Sequence, residues 1–161
     1  MRIFTIGHST RQVAELLELL EEHGIEVLAD IRSFPSSARF PQFNKDALSR
    51  QLPQTCPPTT ARLPQSRGGQ GGRRAGIAYC WLGKALGGYR KQSNPNSPHT
   101  ALHSPGFRKY ADHMGSAEFA TGIAELLELA RKQRVAIMCA ERLWWRCHRA
   151  FVSDYLSACC S

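Results

Sequence analysis

The first forty residues constrain the fold more than any other part of the chain, because they read as a strand, a helix and a second strand in direct succession. Residues 2–7 alternate around Ile3, Phe4 and Ile6, as a strand with two unlike faces does. Val13, Leu16, Leu17 and Leu20 then recur at helical spacing opposite Glu15, Glu18, Glu21 and Glu22. Ser9 or Thr10 is available to cap that helix, and Gly24 after His23 suits a left-handed stop. Residues 25–31, Ile-Glu-Val-Leu-Ala-Asp-Ile, supply the second strand. A strand–helix–strand unit of this kind is parallel and right-handed in nearly all cases.

The same alternation continues downstream. Asn44 is placed to cap a short helix running to about Leu52. Residues 53–75 break the pattern with Pro53, Pro57, Pro58 and Pro64 and the run from Ser66 to Arg74, and read as a Pro/Arg/Gly-rich disordered insertion or long loop. Residues 77–82 give a third strand, and 83–104 read as loop. Phe107, Tyr110 and Met114 mark one helix, and Phe119, Ile123, Leu126, Leu127 and Ala130 a longer one. Residues 134–139 are a compact apolar run of the kind found in buried parallel strands, and a last helix is expected from about Trp145 to Leu156. The 161 residues therefore predict one α/β domain, a mainly parallel sheet of about four strands flanked by helices.

No apolar run approaches the ~20 residues needed to cross a bilayer. The chain start lacks the apolar stretch and cleavage site of a signal peptide, so the expected location is the cytoplasm, with no membrane partner. In that compartment the six cysteines read as thiols, with Cys159 and Cys160 an inert pair near the terminus. Half of the net charge of +8 comes from Arg62, Arg67, Arg73 and Arg74 inside the Pro/Arg/Gly-rich segment. An RNA-contacting function for that run is one reading, and a solvated linker is the simpler one.

In open parallel sheets ligands bind beyond the carboxyl ends of the strands, and several reactive side chains fall there. The first strand ends in His8-Ser9, the second in Asp30 and Arg32, and the last in Cys139 and Glu141, with Cys147-His148-Arg149 opening the final helix. His8 reads either as an acid/base group or as a loop histidine capping a helix. Asp30 and Arg32, two apart, point the same way, as a carboxylate with an anion clamp or as an ion pair fixing the strand end. A thiol facing a helix N-terminus near His148 and Arg149 has its thiolate favoured, which makes Cys139 or Cys147 a candidate nucleophile. The alternatives are a packed core thiol, or zinc or iron held by Cys147 with Cys139 and His148. No phosphate-binding or dinucleotide motif is present, so no such cofactor is implied. Trp144-Trp145 read as packing or as a stacking surface for bases.

These motifs together resemble the domain of unknown function 488 family. The likeness rests on Thr5-Ile6-Gly7-His8-Ser9, Asp30-Ile31-Arg32-Ser33-Phe34-Pro35, Pro41-Gln42-Phe43-Asn44, Leu86-Gly87-Gly88, Phe107 to Met114, and Cys139-Ala140-Glu141 with Cys147-His148-Arg149. It implies a compact α/β domain whose polar motifs gather at one end of the sheet, with no settled reaction. It marks His8, Asp30, Arg32, Cys139, Glu141, Cys147, His148 and Arg149 as site residues and adds Tyr110. The chain departs from the family pattern at 53–75 and again after the last helix, where the family usually adds a strand whose loss would leave a sheet edge open. The combined expectation is an enzyme acting on a small anionic or nucleotide-like substrate, with Arg32 and Arg149 as clamps and Cys139, Glu141, His8 or His148 moving electrons or protons. A nucleic-acid-binding module and a metal-binding or redox-sensing domain are the alternatives.

Overall fold

The computed structural model describes residues 1–52, 54–56 and 76–159. Its sheet contains β1 (Ile3–Gly7), β2 (Val27–Asp30), β3 (Gln54–Thr55), β4 (Ala78–Trp81) and β5 (Val135–Cys139), in the order β1-β5-β2-β4-β3. Every pairing is parallel. Four strands carry the sheet, and β3 adds two residues at one edge. All five residues of β5 are buried, as expected of an apolar strand with neighbours on both sides and helices above and below. β1 lies at the other edge, with no strand beyond it among the described residues.

The helices are α1 (Val13–Glu22), α2 (Lys45–Gln51), α3 (Gly83–Leu86), α4 (Pro105–Met114), α5 (Ala117–Lys132) and α6 (Arg149–Cys159). Alternation along the strands divides the core in two. On one face Leu16 and Leu20 of α1 and Leu48 of α2 pack with Leu28, Phe43, Ala136 and Met138. On the other, Phe119 and Leu126 of α5 and Val152 and Leu156 of α6 pack with Val27, Ala29, Val135 and Ile137. α5 is the best-terminated helix: Ser116 Oγ accepts the Phe119 N–H at 3.2 Å, Glu118 lies in the first turn, and Arg131 and Lys132 lie in the last.

Several local expectations change. The second strand is shorter than 25–31, because Ile25 and Ile31 lie outside the β2 ladder. Neither Ser9 nor Thr10 caps α1; Gln12 occupies that position and makes no side-chain cap. Asn44 does precede α2, but its Oδ1 accepts the Ser37 N–H at 2.6 Å and so ties down the preceding loop instead. The stretch 83–104 opens with α3. The last helix starts at Arg149, after a separate 3-10 turn at Trp144–Arg146. Cys56 and Cys80 are not thiols: they form a disulfide that ties the end of β3 to β4. Cys159 is free and exposed, while Cys160 and most of the 53–75 segment lie outside the described residues.

Candidate functional site

The carboxyl ends of β1, β2 and β5 do assemble the polar residues of the sequence motifs, but the sheet parts them into two groups. Asp30 shares a face with Leu28, on the α1–α2 side, whereas Cys139 shares a face with Ile137, on the α5–α6 side. The groups touch through the backbone. The His8 N–H donates to the Cys139 carbonyl at 3.0 Å, and the Ser9 N–H to that of Ala140 at 3.0 Å. Ser9 holds φ 46° to make this continuation of the β1–β5 ladder, a left-handed setting that costs a non-glycine residue about 1–2 kcal/mol.

On the α1–α2 face, Asp30 is wholly buried and saturated with donors. Its Oδ1 accepts the Arg32 N–H at 3.0 Å and Nε at 2.9 Å, and its Oδ2 accepts Arg32 Nη2 at 2.5 Å and the Tyr79 hydroxyl at 2.6 Å. Arg32 gives two further donors to the Phe43 carbonyl at 2.7 Å and to His8 Nε2 at 3.2 Å. Because a guanidinium only donates, His8 Nε2 accepts and its proton sits on Nδ1, which donates to the Ser9 carbonyl at 3.1 Å. Burial and then the Arg32 charge hold the His8 pKa below its ordinary 6.5, so the ring is neutral. It stacks on Phe43 at 4.4 Å between centroids. Burial opposes the charge of Arg32, but Asp30 and Tyr79 more than compensate and leave its pKa above the usual arginine value. Four of the five side-chain N–H groups of Arg32 are thus engaged, which leaves no pair of free donors to clamp a substrate anion from two sides.

On the other face, Cys139 Sγ and Cys147 Sγ lie 3.1 Å apart without a bond between them. Cys147 Sγ also accepts the Arg149 backbone N–H at 3.2 Å and Arg149 Nε at 3.3 Å. The hydrogen bond from Cys139 is the largest influence pulling the Cys147 pKa well below the usual thiol range; burial opposes it, and His148 and Arg149 add to it. Cys139 moves the opposite way, raised first by that shared bond and then by burial. Both directions favour Cys147 as the sulfur that gives up its proton and Cys139 as the one that keeps it. Arg149 is fixed in place by donating Nη2 to the carbonyls of Glu141 and Arg142.

Other expected site residues fall around these groups. The Glu141 carboxylate is exposed and accepts only the Leu143 N–H, at 3.3 Å; it is the Glu141 carbonyl that meets Arg149 and, at 3.6 Å, Cys139 Sγ. His148 donates Nε2–H to the Ile31 carbonyl at 3.0 Å and so pins the start of α6 to the end of β2. Tyr110 is wholly buried, donates its hydroxyl to the Leu86 carbonyl at 2.9 Å and meets the His148 ring edge-on, so it buttresses the site from behind. Among the described residues no three His, Cys, Asp or Glu side chains gather as a metal-holding group, and Cys147, Cys139 and His148 do not form one.

Tyr79, which lies outside the sequence motifs, and Phe43, which the resemblance includes only within Pro41-Gln42-Phe43-Asn44, complete the Asp30 group. Gly87-Gly88, also among the resemblance motifs, has a packing reason. A Cβ on Gly88 would fall 2.6 Å from His148 Nδ1, and one on Gly87 2.3 Å from Ser33 Oγ, so the pair lets the loop pass close under the site. Gly7 acts likewise where β1 ends, since a Cβ there would meet the Glu141 carbonyl oxygen at 1.9 Å. Beside Gly7 opens a cavity of about 280 Å³ whose lining includes Arg11, Arg142, Trp144 and Arg149. Arg149 thus belongs both to the cysteine pair and to this cavity.

A sequence model described as "Domain of unknown function DUF488" matches residues 12–62 and 58–156. The two matched stretches meet inside the Pro/Arg/Gly-rich segment, and the His8-Ser9 motif precedes them. No curated protein and no solved structure matches the chain.

Proposed function

The chain belongs to the domain of unknown function 488 family, and from that premise we propose that it is a thiolate-dependent enzyme acting on a small anionic substrate, with Cys147 as the nucleophile. The observation that carries this reading is the Cys147 sulfur, set against the Cys139 sulfur at 3.1 Å and receiving two N–H groups from Arg149. Such donors stabilise a thiolate at neutral pH, and a thiolate is the reactive form of cysteine. The cavity next to Arg149, which carries Arg11 and Arg142 among mostly apolar lining residues, supports an anionic substrate, since guanidinium groups match carboxylate and phosphate geometry. The Asp30 group has the supporting part: it locks the ends of β1 and β2 so that the loops carrying Cys147 and Arg149 rest on a fixed platform.

The test is alkylation by iodoacetamide at pH 6, followed by peptide mass. Cys147 is expected to label roughly tenfold faster than the exposed Cys159, and millimolar pyrophosphate is expected to slow it. Equal or slower labelling of Cys147 would sink the nucleophile; labelling indifferent to pyrophosphate would sink the anionic substrate alone.

A second reading draws on Trp144 and Trp145, which are 43% and 58% exposed and stand between Arg142 and Arg146. Aromatic and basic groups interleaved in this way suit single-stranded nucleic acid. That reading expects oligonucleotide binding that weakens steeply with salt and is lost in Trp145→Ala.

A further inference from the structure

We propose that the cysteine pair is a peroxide-reactive modification site, at which Cys147 is oxidised and Cys139 then closes onto it as a disulfide. The inference rests on the reading of Cys147 as the nucleophile and adds what happens to it in an oxidising medium. Geometry carries it first. The two sulfurs are 3.1 Å apart, about 1 Å beyond the ~2.05 Å of a disulfide bond, so closure brings together sulfurs that already face each other. Access carries it second. Cys139 is 3% and Cys147 8% exposed, a degree of cover that favours a small oxidant over a bulky disulfide such as that of glutathione or a partner protein. The donors carry it third: the Arg149 N–H groups on Cys147 Sγ stand beside the sulfur that attacks and can receive the oxygen that departs.

The chemistry balances in two steps. The Cys147 thiolate attacks one peroxide oxygen, the O–O bond breaks, and a sulfenic acid forms as hydroxide leaves and takes a proton from solvent. The Cys139 sulfur then attacks the sulfenic sulfur, an S–S bond forms as the S–O bond breaks, and the Cys139 proton leaves with the oxygen as water. One hydroperoxide has been reduced by two electrons, both drawn from the pair. An external dithiol reverses the state by exchange and becomes a disulfide itself. While the pair is joined there is no thiolate, so chemistry that depends on Cys147 stops.

The experiment uses the full chain carrying Cys159→Ser and Cys160→Ser, pre-treated with dithiothreitol, desalted, and exposed to one equivalent of hydrogen peroxide. Trypsin cleaves after Arg142 and Arg146, so Cys139 and Cys147 fall in separate peptides and their linkage has its own mass. The expected result is the linked pair, removed by dithiothreitol, together with loss of alkylation at Cys147. In Cys139→Ser the expected product is a Cys147 sulfenic acid trapped by dimedone. A Cys147 that alkylates readily at pH 6 yet gives no linked peptide with peroxide overturns this inference and leaves the nucleophile standing. A Cys147 inert to both reagents overturns the two together. Should Cys139→Ser fail to fold, the linked peptide in the parent chain decides alone.

Discussion

The Asp30 group and the cysteine pair sit at the same end of one sheet, and each joins a buried arginine to a buried acidic group, yet they are finished differently. Around Asp30 the carboxylate accepts four donors, and Arg32 fills its fork with Asp30, Phe43 and His8. Around Cys147 the acceptor is a single large sulfur with three neighbouring groups that can donate to it, one of them another thiol with chemistry of its own. A buried ion pair closed on every side adds little net stability but is costly to break. A thiolate held by a few N–H groups keeps its lone pairs polarisable and available. On the proposed reading of Cys147, burial and charge alone do not mark a reactive centre; what counts is whether the partners exhaust the group.

The sharpest way to break the comparison is to unpair one side of each. Asp30→Asn leaves Arg32 buried without its counter-charge and is expected to cost about 3–5 kcal/mol in denaturant unfolding. Cys147→Ser, by contrast, is expected to stay within about 1 kcal/mol of the parent while abolishing the fast alkylation. If the two variants lost similar stability, the cysteine pair would belong with the structural group. Tyr79→Phe removes one hydrogen bond to a charged acceptor and is expected to cost about 1.5–3 kcal/mol, read from the same transition. The smallest effect is in pH. His8 and His113 are both held below 6.5, chiefly by burial, so as pH falls through 6.5 the unfolded chain takes up protons that the folded one refuses. Stability should therefore fall with pH below that point, by up to about 1.4 kcal/mol per unit for each histidine. His8→Gln, which keeps an acceptor for Arg32, should remove the His8 share of that slope. An unchanged slope would mean that His8 exchanges protons freely with solvent.

Much of this was legible in the sequence, and the misses have physical causes. Apolar runs and helical spacing located β1, β2, β4 and β5, and the rule about strand ends brought His8, Asp30, Arg32, Cys139 and Cys147 to one end of the sheet. Their separation onto two faces was hidden because it depends on strand order. β5, last in the chain, inserts between β1 and β2, and no local pattern announces this. Tyr79 was missed because it reaches Asp30 across 49 residues. Its parity was readable, since Asp30 pairs with Trp81 and Tyr79 lies two residues earlier, on the same side of β4. Gly87-Gly88 stands among the resemblance motifs, but its reason was not legible, because what requires glycine there is the approach of His148 and Ser33 from distant parts of the chain.

One feature of the sheet bears on how molecules of this protein meet one another. β1 shows its outer rim to the surroundings, with no described strand beyond it, and a flat rim of free backbone groups is a template for a second copy. The opposing influence is the net charge of +8, which keeps copies apart through mutual repulsion. That protection is colloidal and has a range: at ~0.01 M salt it extends about 30 Å, and at ~1 M about 3 Å, less than the spacing of two paired strands. Among the described residues it is charge and not strand order that opposes pairing along this rim, and concentrated salt is the condition expected to weaken that opposition.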